Sequence, residues 1–221
     1  MERPRIALIH ATPISMDPIK AAFASGWPEA ETLNILDDSL AVDRAKVEDL
    51  TPALYERFRT LTRYAKSIGS NAVLYTCSAF GAAIAASAKE SDIPVLKPNE
   101  AMFEAAIRKG GRIAMIYTFS PSRPGMEQEF REEAERINPA ATITSFLAPG
   151  AVEAVRAGDD ATHNRLVAEQ AAKLDGFDAI VLAHFSTSRA LAAVQAVTRI
   201  PVLTAPGAAV EKLRGLLKAG R

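Results

Sequence analysis

The sequence carries an internal repeat with a constant spacing of 107 residues. The segment IPVLKPNEAMFEAAIRKGGR, from Ile93, matches IPVLTAPGAAVEKLRGLLKAGR, from Ile200. The same shift places RIALIH, from Arg5, on RIAMIY, from Arg112, and SNAVLYTCSAF, from Ser70, on FDAIVLAHFST. A single register that joins segments so far apart in the chain indicates two copies of one folding unit.

Each copy alternates the patterns of strands and helices. Short apolar runs of strand length are RIALIH, LNIL, AVLYT and IPVL in the first copy, and RIAMIY, ATITSF, AIVLA and IPVL in the second. Asp17-Pro18 and Thr51-Pro52 are typical of helix starts, and Gly69 ends the second of these helices. Strands this apolar are buried on both faces, which favours parallel sheets covered by helices.

The predicted fold class is therefore α/β, with two Rossmann-like parallel-sheet domains that arose by internal duplication. We expect a pseudo-twofold axis to relate them and the active site to lie in the cleft between them. The first domain is expected in residues 1–98 and the second in residues 99–205. The C-terminal helix, 206–221, has the place in copy two that the junction helix has in copy one, so we expect it to pack back on the first domain.

Composition and charge exclude several classes of function. The chain has 26 Lys and Arg against 26 Asp and Glu, so no net charge attracts nucleic acid or an anionic membrane. The longest weakly polar stretch, 72–86, is too short to span a bilayer, and the N-terminus does not read as a signal peptide. The only cysteine is Cys77, and no Cys/His cluster has zinc spacing. We expect a cytoplasmic protein with no metal, no nucleic-acid partner and no membrane partner; the sequence leaves a homo-oligomer open.

Two reactive residue types occupy equivalent positions in the two copies. Cys77 follows the strand AVLYT, and its repeat mate His184 follows AIVLA. Open parallel sheets bind ligands at the carboxyl ends of their strands. Ser78 follows the cysteine, and Ser186 and Thr187 follow the histidine, each at the start of a predicted helix. Free N–H groups at such a start suit a carboxylate and are expected to lower the pKa of a nearby thiol.

Further polar and aromatic residues adjoin these positions. The first strands of the two copies end in His10-Ala11-Thr12 and Tyr117-Thr118-Phe119-Ser120. Phe80, Phe119 and Phe185 are predicted to lie near the mouth of the cleft and suggest a substrate with an apolar or aryl substituent. His163 lies in a polar helical stretch and is predicted to be exposed.

These features resemble the aspartate/glutamate/hydantoin racemase superfamily, which also includes maleate isomerases and arylmalonate decarboxylases. Its first motif, a cysteine followed by a small hydroxyl or amide residue, matches Thr76–Ser78, and its second-domain threonine segment matches Tyr117–Thr118. Its second motif is usually glycine-cysteine-threonine, and Ala183–Phe185 departs from it by placing a histidine there. The acidic-serine pair of the amino-acid racemases is replaced by His10–Thr12. The resemblance implies a cofactor-independent enzyme in which Cys77 is an acid/base, without a second thiol.

The favoured interpretation is a racemase or isomerase that moves a proton at the carbon next to a carboxylate, through an enediolate. Cys77 and His184 are the predicted catalytic residues, on opposite faces of the substrate. One alternative is a decarboxylase or cis–trans isomerase of the same superfamily that uses Cys77 alone, with His184 keeping the thiol ionised. Another is a non-catalytic small-molecule binding protein.

The predicted substrate is a small molecule that bears a carboxylate. The residues predicted to bind it share a position directly after a strand. They are His10, Thr12, Thr76, Ser78, Ala79, Thr118, Ser120, Phe185, Ser186 and Thr187.

Overall fold

The computed structural model of the protein describes residues 3–219. The chain divides into two compact units. The first contains the residues up to Pro98 together with those from Ala209 onward, and the second runs from Asn99 to Ala208.

The first unit is built on a parallel sheet of four strands in the order β2-β1-β3-β4. The strands are β1 (Arg5–His10), β2 (Glu31–Leu36), β3 (Ala72–Tyr75) and β4 (Val95–Leu96). The chain passes from β1 to β2 on one side and then to β3 on the other. The carboxyl ends of β1 and β3 therefore flank the point where the strand order reverses, which is where open α/β sheets bind ligands.

The helices of the first unit follow the strands in alternation. They are α1 (Met16–Gly26), α2 (Ser39–Arg44), α3 (Pro52–Ser67) and α4 (Gly81–Lys89), with 3₁₀ turns at Pro13–Ser15 and Ser78–Phe80. Thr51 is the N-cap of α3, and its hydroxyl accepts a hydrogen bond from the Leu54 N–H at 3.3 Å. The predicted start of α3 is confirmed. The predicted start of α1 at Asp17-Pro18 is wrong, because a 3₁₀ turn leads directly into a helix that begins at Met16.

The second unit repeats this plan with the strand order β6-β5-β7-β8. Its strands are β5 (Arg112–Tyr117), β6 (Thr142–Leu147), β7 (Ala179–Leu182) and β8 (Val202–Thr204), all parallel. Its helices are α5 (Glu100–Lys109), α6 (Arg123–Ile137), α7 (Ala151–Arg156), α8 (Asp160–Ala171) and α9 (Leu191–Gln195), with 3₁₀ turns at Ser120–Ser122 and Ser186–Ala190. The last helix, α10 (Ala205–Ala219), continues into residues of the first unit. The predicted α/β fold with two parallel-sheet domains is confirmed.

The sequence contains continuous apolar runs because the central strands of each sheet are buried. All residues of β3 and β7 are buried, and so are all but the first of β1 and β5. The edge strands β2 and β6 are only partly buried. Burying one large aliphatic side chain stabilises the fold by roughly 1.5–3 kcal/mol, so the central strands form the core of each unit.

Two expectations about exposure are wrong. His163 is fully buried, because α8 places it on the same face as Val167 and Ala171, which belong to the hydrophobic core. Phe80 is also fully buried, with its ring centroid 4.9 Å from that of Phe58, so it belongs to the hydrophobic core and not to the mouth of a cleft. Phe185 is buried too, with 2% exposed. No helix within residues 3–219 is both long and apolar enough to cross a membrane.

Candidate active site

Cys77 lies just past the end of β3, in extended backbone with φ −118° and ψ 122°. The 3₁₀ turn Ser78–Phe80 follows it, and the side chain is half-buried. Burial raises the pKa of the thiol, and the Ala79 backbone N–H and the Arg44 guanidinium only partly oppose that rise. The Ala79 N–H at the start of this turn lowers the thiol pKa in the predicted direction, but desolvation has the larger effect, so the pKa of the ligand-free thiol is raised overall.

His10, at the end of β1, is the centre of a buried hydrogen-bond network. Its Nε2 lies 3.0 Å from Asn34 Oδ1, and its Nδ1 lies 2.9 Å from Thr76 Oγ1 and 3.1 Å from Ser15 Oγ. Ser15 Oγ in turn lies 2.8 Å from Thr76 Oγ1 and donates to the Thr12 carbonyl at 3.1 Å. The side chain of His10 is 0% exposed, and burial lowers its pKa despite the bond to Asn34.

A neutral His10 fits these contacts. The Nε2–H donates to the Asn34 carbonyl oxygen, and Nδ1 accepts from the Thr76 hydroxyl. Thr76 directly precedes Cys77, so His10 fixes the residue next to the thiol. A role for His10 in contacting substrate stays a prediction; its contacts within the protein give it a positioning role.

His184, just past β7, has a left-handed backbone conformation with φ 70°. It is the one non-glycine residue with positive φ in the described part of the chain. Its Nε2 lies 2.7 Å from Ser122 Oγ, and that hydroxyl donates to the Phe119 carbonyl at 2.7 Å. Both bonds form together when His184 carries its proton on Nε2, which leaves Nδ1 as an acceptor.

The Nδ1 atom of His184 is buried and has no hydrogen-bond partner among the described residues. Burial lowers the pKa of His184 to about 4, against a smaller opposing effect of the Ala183 carbonyl. The imidazole is therefore neutral near pH 7. The Thr187 hydroxyl, three residues further on and fully buried, also has no partner in the described structure.

The structure gathers the predicted residues at the carboxyl ends of the two central strands of each sheet. In the first unit these are His10, Thr12, Thr76, Cys77, Ser78 and Ala79, and in the second they are Thr118, Ser120, His184, Phe185, Ser186 and Thr187. Ala79 and Ser120 are exposed, whereas Thr118, Phe185 and Thr187 are buried. Phe119 is 40% exposed, and the Arg156 guanidinium lies 5.6 Å from its ring centroid.

Sequence reasoning missed three residues that hold the histidines in place: Ser15, Asn34 and Ser122. The two serines are repeat mates, since the register that pairs Cys77 with His184 also pairs Ser15 with Ser122. Each donates to the carbonyl three residues before it and contacts a histidine. The repeat could have identified these two serines, because it places a serine at the same position after the first strand of each copy.

Residues 3–219 contain no group of three or more His, Cys, Asp or Glu side chains placed to hold a metal ion. The titratable groups at the strand ends contact hydroxyls, an amide and backbone groups.

No family model matches the sequence, and no curated protein matches it significantly. Solved structures do match its fold. A glutamate racemase from Bacillus anthracis covers 100% of this chain and 84% of its own, with 16% identity and a TM-score of 0.71. An allantoin racemase from Klebsiella pneumoniae covers 98% of this chain and 89% of its own, with 20% identity and a TM-score of 0.72.

An arylmalonate decarboxylase mutant with bound sulfate is also similar in structure. It covers 99% of this chain and 95% of its own, with 19% identity and a TM-score of 0.69. These similarities extend over nearly the whole chain in each case. The chain therefore shares its fold with these two racemases and this decarboxylase.

Proposed function

We propose that the protein is an isomerase that moves a proton at the carbon next to a carboxylate, with Cys77 and His184 as the acid/base residues. The observation that carries the proposal is their placement. Each follows the third strand of its own sheet, at the point where the strand order reverses, and each is held by local contacts. The shared fold of racemases and a decarboxylase supports the same class of chemistry.

In the ligand-free protein the protonation states of Cys77 and His184 suit one proton donor and one proton acceptor. Because burial raises the pKa of the Cys77 thiol, the group is a protonated donor near pH 7. Because burial lowers the pKa of His184 to about 4, the imidazole is a neutral acceptor. In the proposed reaction His184 Nδ1 takes the α-proton on one face and the Cys77 thiol gives its proton to the other face.

Cys77 and His184 together donate and accept all the protons that the step requires. The substrate C–H electron pair enters the enediolate, which then takes the thiol proton at the same carbon. The enzyme is left with an imidazolium and a thiolate, and exchange with water returns each to its first state. The reverse reaction starts from the imidazolium and thiolate pair.

The enediolate carries negative charge that needs hydrogen-bond donors. The backbone N–H groups of the 3₁₀ turns after Cys77 and His184 are suitable donors, and so are the hydroxyls of Ser78 and Thr187. The Thr187 hydroxyl supports this assignment best, since it is buried and its oxygen has no partner in the described residues.

Decarboxylation by Cys77 alone is the second candidate. It is favoured by the protonated thiol, because an enediolate formed by loss of CO₂ needs only one proton donor. In that reaction the base role of His184 is not required. Substrates with two carboxylates on one carbon would then react, and the α-hydrogen of a monocarboxylate would not exchange.

The deciding experiment measures exchange of the α-hydrogen in D₂O over a panel of chiral acids, malonates and hydantoins. For the proposed isomerase, wild type exchanges and racemises one class of substrate. His184→Asn is expected to stop racemisation and to leave exchange in one enantiomer only at alkaline pH, where Cys77 ionises and becomes the base. Cys77→Ala is expected to leave exchange in the other enantiomer. Loss of CO₂ from malonates without any α-exchange would instead identify the decarboxylase. Absence of turnover together with saturable binding would assign a binding protein.

A further inference from the structure

The side chain of Arg44 connects the end of α2 to the turn that follows Cys77. Its Nε donates to the Ala79 carbonyl at 3.2 Å, and its Nη1 donates to the Val47 carbonyl at 2.7 Å. Two donors on one planar guanidinium fix its orientation, which a single ammonium group cannot do. Arg44 therefore holds the backbone two residues beyond the cysteine.

The positive charge of Arg44 is not neutralised by any carboxylate in the described part of the chain. Two acidic residues near it in the sequence have another partner: Arg57 binds Asp37 at 2.6 Å and Asp43 at 2.9 Å. Asp43 also binds Lys46 at 3.1 Å. A half-buried guanidinium that contacts only carbonyl groups keeps its unit positive charge, which attracts a nearby anion.

The thiolate of Cys77 is the anion that this charge can favour. Burial disfavours the thiolate, and the two groups that act in the other direction are the Ala79 N–H and Arg44. Two further titratable groups, His10 and Tyr75, lie at the ends of the adjacent strands β1 and β3. Both are uncharged near neutral pH, since burial lowers the pKa of His10 and raises that of Tyr75. Each is also hydrogen-bonded elsewhere, His10 to Asn34 and Tyr75 to Thr62.

We propose that Arg44 is a positioning residue for Cys77, which holds the turn after the cysteine and supplies the positive charge that favours its thiolate. The proposal rests on the proposed function, in which Cys77 passes through the thiolate once per turnover. Arg57 supports Arg44 indirectly, because its ion pairs with Asp37 and Asp43 anchor both ends of α2 to α3.

The test is the pH dependence of Cys77 alkylation by iodoacetamide in the full-length protein without substrate. Arg44→Met is expected to raise the apparent thiol pKa by about one unit, the lower end of the effect of a nearby opposite charge, and to slow alkylation at pH 8 roughly tenfold. Arg44→Lys, which keeps the charge and loses the double contact, is expected to lie between wild type and Arg44→Met. The matched control is Lys46→Met, which removes one positive charge from the same loop at an exposed side chain paired with Asp43.

The outcomes separate this inference from the proposed function. An unchanged thiol pKa in Arg44→Met, with wild-type circular dichroism, would overturn the role of Arg44 even if Cys77→Ala abolishes turnover. Equal shifts in Arg44→Met and Lys46→Met would also overturn it, since a general surface-charge effect would then explain both. If Cys77→Ala retains activity, the proposed function fails, whereas the alkylation result still shows whether Arg44 controls the thiol.

Discussion

His184 combines an unfavourable left-handed backbone conformation with a side chain that is held by a hydrogen bond. A left-handed conformation costs an ordinary L-residue roughly 1–2 kcal/mol, which is why glycine and asparagine are the usual occupants. At His184 φ is 70°. Ser122 binds its Nε2, and Phe185 and Thr187 are buried in the turn that follows. Cys77, its repeat mate, is extended. The repeat therefore predicted the position of the histidine, but its backbone conformation depends on local contacts that the register does not encode.

The low pKa of His184 predicts a specific loss of stability in acid. The group binds its proton less readily when folded, with a pKa of about 4, than when unfolded, with a pKa of about 6.5. Above pH 6.5 neither state is protonated and the full stability is present. Between pH 6.5 and 4 the unfolded state takes up the proton first, so the free energy of unfolding falls, by at most about 3.5 kcal/mol at roughly 1.4 kcal/mol per pKa unit.

The measurement is urea unfolding at pH 4.5 and pH 7.5 in wild type and His184→Asn. Asparagine is chosen because it tolerates the left-handed conformation. The variant is expected to lose less stability on acidification than wild type, and the difference isolates His184 from His10, whose pKa is also lowered by burial. Equal losses in the two proteins would show that His184 does not titrate in this range.

At the scale of elements, the 3₁₀ turns after β1 and β5 perform the same task in both units. Ser15 and Ser122 are the last residue of their turn, and each binds a carbonyl three residues earlier. The partner histidine differs: Ser15 contacts His10 from the end of β1, and Ser122 contacts His184 from the end of β7. One turn geometry thus orients an imidazole in each unit, although the two histidines are not repeat mates.

Ser122→Ala is expected to reduce proton transfer by His184 more than it reduces stability. It removes the partner of Nε2, so the ring loses its fixed orientation and tautomer, whereas a lost hydrogen bond of this kind costs about 1 kcal/mol. The measurement is α-hydrogen exchange for each enantiomer, and the exchange assigned to His184 should fall at least tenfold. The control is Ser188→Ala, which removes a similar bond to the Phe185 carbonyl at 2.7 Å without touching the imidazole. Equal exchange rates in the two variants would leave Ser122 with no role beyond local structure.

The elements that the sequence predicted are those with strong apolar patterns. The central strands and α3 could be identified because each carries its own signal, such as the N-cap Thr51. The short helices α2 and α7 were not predicted. A helix of six residues is not stable alone. In α2 the stability comes from tertiary contacts, namely the burial of Leu40 in the core and the ion pairs with Arg57 of α3, which sequence spacing does not reveal.

At the scale of the whole molecule, the internal repeat predicts the fold, whereas packing determines which side chains are buried and how their pKa values shift. The duplication predicted two sheets and the residues at their carboxyl ends, because the topology of parallel sheets brings those ends together. It did not predict the burial of His163 or the raised pKa of the Cys77 thiol. Both depend on packing: α8 places His163 on its core-facing side, and Cys77 packs against the core cluster of the first unit. Arg44 was not found for the same reason, since 33 residues separate it from Cys77.

The first unit contains both ends of the described chain, including most of α10. Its stability is therefore expected to be sensitive to substitutions in that helix. Within α10, Leu213 is fully buried, whereas Leu216 is 41% exposed. Arg214 of the same helix donates to the Gly26 carbonyl at 3.2 Å, next to Trp27, the single tryptophan of the chain. Leu213→Ala is therefore expected to destabilise the first unit by about 3 kcal/mol, since it leaves a cavity in the core. Leu216→Ala should change the stability by no more than about 0.5 kcal/mol. Urea unfolding followed by Trp27 fluorescence measures both, and equal midpoints for the two variants would show that α10 does not contribute to the core around Trp27.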